Sequence, residues 1–431
     1  MPVRHAFRGL TTRGRAFVAA GATASVCSLL LGQKDLLRVG ILLVALPVVS
    51  ALVVGRTRLR LSVRRSLNPV DVPVGTPATV DLTLTNQGRM PAGLLLLEDR
   101  IPYVLGHRPR FVVDRVSPNW RRKVSYQIKS DVRGLYQVGP LMLTVADPFG
   151  LVETSRVFAE SQTLLVTPKV QRLPSVRLGA DRAGSGENRP RAIAAAGEED
   201  ATVREYRDGD DLRRVHWRST ARRGELMVRR EEQPWQSRCA LFIDARTGSH
   251  AGHGPSSSLE WAVSAAASIG TDVIRRGYIT TMLGGPTTLT AISRKSSAEV
   301  HHPLSSHQLL TECACVEEHR YAEIGALLTV DRQAQDPSLV VAVVGACSAA
   351  DIVALNRWRT NQATGLALLV DAATWTGESG TSSATERLRA RIDTTELELR
   401  RNGWRVARVR RGDKLPTLWS TLGLRTGRIS A

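Results

Sequence analysis

Charged and aromatic side chains are interleaved most densely between Gly197 and Glu232, in the run GEEDATVREYRDGDDLRRVHWRSTARRGELMVRREE. From Glu198 to Glu232 there are ten acidic and nine basic residues, so the run is rich in charge yet nearly neutral. A phosphate-binding surface needs a net positive field. The balance therefore favours internal pairing of the arginines with Glu198, Glu199, Asp200, Glu205, Asp208 and Asp211, with Trp217 stacked on a guanidinium. His216 stands beside Ser219 and Thr220, within reach on a helix, but surface helices commonly offer that pair and no third group orients it. His301, His302, His307, Cys313, Cys315 and His319 fall within nineteen residues. A Cys-x-Cys without a second matched pair is not a zinc spacing. GxxxxGK[ST], GxSxG and HExxH do not occur, so the chain is neither a P-loop ATPase nor a hydrolase of those types. We read it as non-enzymatic, with no catalytic residue.

The charged run needs a scaffold. Asp208-Gly209 marks a turn, and Asp210 or Asp211 is placed to cap a helix from Leu212 to about Arg222, with Gly224 beyond its end. At 100° per residue Leu212, Val215 and Ser219 share one face. Trp217 and Ala221 lie opposite, between Arg213, Arg214 and Arg218. Glu225–Val228 reads as a strand. Arg204, Tyr206, Asp210, Asp211, Arg213, Arg214, Trp217, Arg218 and Arg222 are the candidate partner-binding residues. The segment 171–196, rich in Gly, Pro, Ala and Arg, reads as a linker ahead of the motif at 197–232.

The 431 residues carry a net charge of +19. Only six of the 59 basic residues are Lys, and the excess lies mainly at the two ends. Residues 1–65 hold eleven basic residues against Asp35 alone. Within them, Ala16–Gly32 and Val39–Gly55 are uncharged and each is near the minimum length of a membrane helix. Arg4, Arg8, Arg13 and Arg15 precede the first span. Arg56, Arg58, Arg60, Arg64 and Arg65 follow the second. By the positive-inside rule the basic terminus 1–15 and everything after the hairpin are cytoplasmic, and the loop Gln33–Arg38 is outside. The five cysteines, an odd and scattered set, do not describe a disulfide framework. The basic C-terminus is suited to anionic inner-leaflet lipid.

Between 59 and 170 the apolar pattern has a period of two, as in Val80, Leu82 and Leu84, or Val124, Tyr126 and Ile128. Short strands punctuated by turns predict a β-sandwich-like domain. ADPFGL (146–151) reads as a turn with an aromatic plug. From 237 to 431 apolar strands (Cys239–Arg246, Tyr278–Leu283, Leu339–Gly345, Gly365–Asp371, Trp404–Val409) alternate with helices, which predicts a parallel α/β sheet.

The run from Arg204 to Glu231 resembles the signature of the bacterial domain-of-unknown-function family fifty-eight, through Glu198, Arg204, Tyr206, Gly209, Asp210, Asp211, Arg213, Trp217, Ala221, Arg222, Leu226 and Val228. The resemblance extends to the layout of two membrane spans, a β-rich region, the signature and an α/β domain similar to von Willebrand factor type A. It implies an accessory or adaptor protein of the bacterial inner membrane that partners a MoxR-type AAA+ ATPase, often with a transglutaminase-like membrane protein. A type A domain holds Mg²⁺ through Asp-x-Ser-x-Ser after its first strand. Here Asp244 is kept, but Arg246 and Gly248 replace the serines, so neither Mg²⁺ nor another cofactor is expected. Asp244 instead pairs with Arg246 or caps the next helix. The alternative class, a membrane-tethered nucleic-acid-binding protein, rests on the overall charge and the Trp217–arginine face.

Overall fold

The computed structural model describes residues 9–56, 61–86, 94–113, 120–147, 149–176, 178, 203–206, 215, 217–229, 237–286, 288, 290, 303–320, 323–328, 337–359, 363–376 and 383–423. The chain divides into two compact units, residues 1–169 with 313–315, and 170–312 with 316–431.

The first unit opens with two helices, α1 (Thr12–Leu31) and α2 (Lys34–Arg56). Both are long and apolar enough to cross a membrane, since twenty residues of α-helix span about 30 Å. Leu29, Leu30, Leu31, Ile41, Leu42 and Val49 are exposed on them. Glycines allow the helices to pack closely: a Cβ on Gly21 would lie 2.8 Å from the Gly40 carbonyl, and one on Gly40 would lie 2.5 Å from Ser25 Oγ. The loop between them is shorter than expected. Gly32 ends α1 in the left-handed region at φ 66°. The next helix then starts at Lys34, with Asp35 in its first turn, where a carboxylate complements the helix dipole.

Among the described residues ten strands follow: β1 (Leu61–Asn68), β2 (Asp71–Pro73), β3 (Ala78–Asn86), β4 (Leu94–Asp99), β5 (Arg110–Val113), β6 (Arg121–Ile128), β7 (Gly134–Val138), β8 (Leu141–Ala146), β9 (Glu153–Phe158) and β10 (Gln162–Thr167). They form three sheets, ordered β1-β3-β6, β2-β10-β7 and β5-β4-β8-β9. Alternate residues point inward, so Val80, Leu82, Leu84, Leu95, Leu97, Leu141 and Leu143 meet in one core.

An ion pair is buried beside that core. Arg65 donates from Nη2 to Asp99 Oδ1 (2.6 Å) and from Nη1 to the carbonyls of Val138 (2.8 Å) and Glu160 (2.6 Å). Tyr126 donates to Asp99 Oδ2 (2.6 Å). Burial, followed by that bond, raises the Tyr126 phenol above its ordinary value. Arg65 is therefore internal to the β-rich unit and presents no charge to a membrane surface, although its position after the second span invites that reading.

The ADPFGL turn also differs from expectation. Phe149 is 61% exposed, so it plugs nothing. Asp147 shapes the turn by accepting from the amides of Phe149 (3.1 Å) and Val152 (2.7 Å). The buried residues are Leu151 and Val152, which pack with Leu10, Leu46, Ala51 and Val54 at the base of the helical hairpin.

In the second unit β13 (Arg238–Ile243), β14 (Ile279–Leu283), β15 (Leu339–Val344), β16 (Thr364–Val370) and β17 (Arg405–Val409) form a parallel sheet ordered β14-β13-β15-β16-β17. Its inner strands β13, β15 and β16 are almost wholly buried, as strands covered on both faces require, while the edge strands β14 and β17 are partly buried. The accompanying helices are α4 (Ser258–Arg275), α5 (Ser306–Ala314), α6 (Ile324–Leu328), α7 (Ala349–Trp358), α8 (Ser383–Arg401) and α9 (Leu415–Gly423), together with a short α3 (Trp217–Arg223) in the charged motif. Part of the expected linker is anchored: Gln171 donates its amide to Ser268 Oγ (2.9 Å), Arg276 Nη1 donates to the Val176 carbonyl (2.8 Å), and Leu178 is buried. Residues 179–196 lie outside the described residues.

Replacing Asp99 with Ala strands the buried Arg65 guanidinium, an expected loss of about 3–5 kcal/mol. Urea denaturation of the detergent-solubilised chain measures it. The paired replacement Arg65→Met with Asp99→Leu should recover most of the loss.

Candidate functional site

In the β14-β13-β15-β16-β17 order the chain leaves β13 toward one neighbour and returns to β15 on the other side. Sheets of this order bind ligands outside the carboxyl ends of the two strands flanking that reversal. Here those ends are β13, followed by Asp244, and β15, followed by the loop to α7.

Both strand ends converge on one arginine. Asp244 is fully buried and Arg246 is 7% exposed. Arg246 grips Asp244 with two parallel bonds, Nε to Oδ1 at 2.8 Å and Nη2 to Oδ2 at 3.0 Å. Its third nitrogen, Nη1, donates to Asp351 Oδ2 at 2.9 Å. The Arg246 backbone amide also donates to Asp244 Oδ1 (3.2 Å), and the Gly345 amide reaches Oδ2 (3.4 Å). Asp351 is positioned by a helix cap. Ser348 accepts from the Asp351 amide (3.2 Å) while Asp351 Oδ2 accepts from the Ser348 amide (2.9 Å), the reciprocal arrangement that closes a helix N-terminus. Asp351 Oδ1 takes the amide of Ile324 (2.8 Å).

The protonation states follow from these contacts. Burial alone would lower the Arg246 pKa, but the bonds and charges of Asp244 and Asp351 outweigh it and hold the guanidinium above its ordinary range. Burial would raise Asp351, yet the Ser348 and Ile324 amides and Arg246 hold it below the usual carboxylate range. Arg246 is thus a charged guanidinium bonded to both Asp244 and Asp351, with backbone amides as further donors to their oxygens.

The loop after β13 closes over the cluster. His250 bonds through Nε2 to the Asp244 carbonyl and through Nδ1 to Ser258 Oγ (3.0 Å). A ring nitrogen facing a carbonyl must carry the proton, so Nε2 donates and Nδ1 accepts from the hydroxyl. Ser258 Oγ in turn accepts the Ala251 amide (3.0 Å). Gly345 lies against Ser249, whose carbonyl would be 2.5 Å from any added Cβ. Residue 319 bridges Arg246 through the backbone: the His319 amide donates to Ala245 (3.0 Å) and its carbonyl accepts from Thr247 (3.0 Å). One strand further along, Asp371 at the end of β16 takes Nε (3.0 Å) and Nη2 (2.7 Å) of Arg408.

The residues do not fit a hard cation. Such an ion needs several oxygen ligands, and the carboxylate oxygens nearest the strand ends already face a guanidinium. Among the described residues no group of three or more His, Cys, Asp or Glu is arranged to hold a metal. Of the candidate His/Cys set, His301 and His302 lie outside the described residues, His307 is exposed, Cys313 and His319 are buried and Cys315 is half-buried.

The charged motif is a small folded element. β12 (Met227–Arg229) pairs antiparallel with β11 (Val203–Glu205), and Val228 also bridges Val215. The described helix is α3, Trp217–Arg223. Val215, expected within it, is instead extended and buried against Val228, so it does not share a helical face with Ser219, and Leu212 lies outside the described residues. Gly224 ends α3 at φ 78°, and Thr220 accepts the Met227 amide (3.0 Å). Trp217 is 71% exposed, with Arg218 and Arg222 exposed on the same short helix. Arg204 lies in β11 beside Val228, and the Tyr206 amide donates to the Leu226 carbonyl (2.8 Å). Asp210, Asp211, Arg213, Arg214 and His216 lie outside the described residues.

Sequence reasoning offered the Asp244–Arg246 pair as one of two roles for Asp244, the other being a helix cap, and the structure shows the pair. It did not offer Asp351, His250 or the Asp371–Arg408 pair. Asp351 had a legible sign in Ser348-x-x-Asp351, a capping pattern. Asp371 and Arg408 stand 37 positions apart, at the end of one strand and within its neighbour, and have no local signal. His250 meets Asp244 and Ser258 six and eight positions away, through a loop whose path no periodic pattern marks.

Residues 202–337 match the family described as "Protein of unknown function DUF58". The chain is also similar to the "Uncharacterized protein YeaD" of Bacillus subtilis (strain 168), 26% identical over 222 residues that cover 49% of this chain and 53% of that protein. It thus spans about half the length of that relative. Among solved structures, the CARDB domain of the PF1109 protein from Pyrococcus furiosus aligns with TM-score 0.20 and 17% identity, covering 25% of this chain and 93% of that one. A cohesin module from Clostridium perfringens aligns with TM-score 0.20 and 9% identity, covering 25% and 97%. Likenesses this slight define no common fold.

Two outcomes follow from the cluster. Arg246→Ala leaves two buried carboxylates facing each other, with an expected loss of about 3–5 kcal/mol in urea denaturation. Burial, the largest influence on both, depresses the pKa of His250 and His319 below the ordinary 6.5. Below about pH 6.5 the unfolded chain takes up protons that the folded one refuses. Their contribution to stability is therefore present above that pH and declines as pH falls through the folded values. The melting temperature should drop between pH 7.5 and 5.5, and His250→Gln should reduce the slope.

Proposed function

We propose that this chain is a membrane-anchored, non-enzymatic accessory protein of the DUF58 kind, partnering a MoxR-type AAA+ ATPase in protein maturation or envelope-related processes. The observation that carries the non-enzymatic part is the switch-point corner of the parallel sheet. In place of an open crevice it holds the Asp244–Arg246–Asp351 cluster, closed by hydrogen bonds from both flanking loops. In this reading the α/β unit is von Willebrand factor type A-like, with Asp244 at the end of its first strand and Arg246 standing where the metal would be, so the unit works as a binding surface without Mg²⁺.

The two apolar helices are the membrane anchor, a multi-pass hairpin in the cell membrane with the bulk of the chain in the cytoplasm. The excess of arginine on both flanks supports that orientation even with the buried Arg65 set aside. The docking surface is the charged motif: Arg204, Tyr206, Asp210, Asp211, Arg213, Arg214, Trp217, Arg218 and Arg222. Its support is the exposure of Trp217, because a large aromatic among arginines is costly to leave in water and typical of the centre of a protein interface. A transglutaminase-like membrane protein is a further candidate partner.

Affinity purification of the tagged chain from detergent-solubilised native membranes, with and without ATP, should recover a MoxR-type ATPase. Arg213→Ala with Trp217→Ala should reduce recovery at least tenfold while circular dichroism stays unchanged. Recovery of no such ATPase under either condition overturns the partnership, and undiminished recovery by the folded double variant overturns the docking site.

A further inference from the structure

The turn after β8 holds the beginning of the first apolar helix. The Thr11 amide donates to the Leu151 carbonyl (3.0 Å), and Thr11 Oγ1 donates to the Gly150 carbonyl (2.7 Å) while capping α1 at Gly14 (3.1 Å). Leu10 bridges Val152 antiparallel, and the Glu153 amide donates to Gly9 (2.8 Å). Gly14 fits only because it lacks a Cβ, which would collide with the Leu151 carbonyl. From the other helix Leu46, Ala51 and Val54 close on Leu151 and Val152. The turn is therefore attached to the same end of both helices.

Phe149 stands at the tip of this turn. Its amide is held by the buried Asp147, so the ring is presented by a braced backbone, yet it is 61% exposed. Arg13 lies beside the turn, with Nη1 3.9 Å from where a Cβ on Gly150 would be, and Arg13 and Arg15 are exposed. Phe17, one turn further along α1, is exposed as well. An exposed ring on a fixed turn, at the level of the last cationic residues before a lipid-length apolar helix, is the arrangement of an interfacial anchor. Aromatic rings settle at the headgroup boundary, and arginines reach the phosphates.

We propose that the turn around Phe149 is a membrane-contact site. Its ring is seated among the headgroups of an anionic phospholipid leaflet, with Arg13 and Arg15 on lipid phosphates, so that the β-rich unit rests on the bilayer beside its hairpin. This inference rests on the membrane-hairpin reading.

The test places the photocrosslinking residue p-benzoylphenylalanine at position 149, 17 or 103 of the full-length chain in nanodiscs of phosphatidylethanolamine and phosphatidylglycerol. Lipid adducts are then counted by mass spectrometry. Tyr103 is the comparison because it is exposed and follows Asp99, which pairs with Leu141 at the opposite end of β8 from the turn. That end is five residues of strand away, roughly 16 Å. Adducts at 149 and 17, at least fivefold above 103, are expected. Adducts at 17 but not 149 overturn the proposal and leave the hairpin standing. Adducts at neither position remove the hairpin reading and the proposal with it. Equal adducts at all three positions overturn the proposal as unspecific contact, and a protein crosslink from 149 in native membranes, without lipid adducts, overturns it in favour of a partner.

Discussion

A buried charge must be met by an opposite charge or by hydrogen bonds, and the α/β unit is arranged around that requirement at Arg246. The guanidinium is planar, permanently charged and able to serve two carboxylates at once. It takes Asp244 side-on and Asp351 end-on. The amides of Gly345, Ser348 and Ile324 then saturate the remaining carboxylate lone pairs. To satisfy this one group, the loop after β13, the loop after β15 and the start of α6 must each take a definite position. The location where a sheet of this winding would open a ligand crevice is thereby filled from within.

The β-rich unit solves the same problem separately. Arg65 enters its interior and is answered by Asp99, Tyr126 and two carbonyls. In each unit one arginine organises segments that are far apart in the chain. Buried pairs of this kind add little net stability compared with apolar packing, but they penalise every arrangement that separates the partners. Arg65 also shows how a residue changes its meaning on folding. In the chain it extends a run of arginines behind an apolar span; in the molecule it belongs to a core.

Legibility varied with the range of the interactions involved. The strands of the parallel sheet were readable because each is a short apolar run set off by charged or turn residues, and β3 because Val80, Leu82 and Leu84 alternate with polar neighbours. The helix of the charged motif was misplaced at its start because Val215 suits either a helical face or a strand. Its choice is made by Val228, thirteen residues away, across a β-bridge. Phe149 was taken for a plug because an apolar ring after Asp-Pro suggests burial, whereas Leu151 and Val152 take the buried positions against the helices. Of the candidate site, Trp217 and the Asp244–Arg246 pair were visible beforehand, since both rest on neighbours in sequence.

By itself the sequence determined the two lipid-length apolar helices, the alternation that makes the first unit β-rich and the βα pattern of the second. These depend on periodicity and on contacts a few residues apart, which are written directly in the order of the side chains. Only the tertiary structure decided that Asp351 completes the Arg246 cluster, that Arg65 is internal and that the 147–152 turn grips the start of the first helix. Each of those pairs residues brought together by sheet order and register, across 34 positions for Arg65 and Asp99 and 105 for Arg246 and Asp351. No local pattern encodes such a meeting; it exists only once the strands have taken their places.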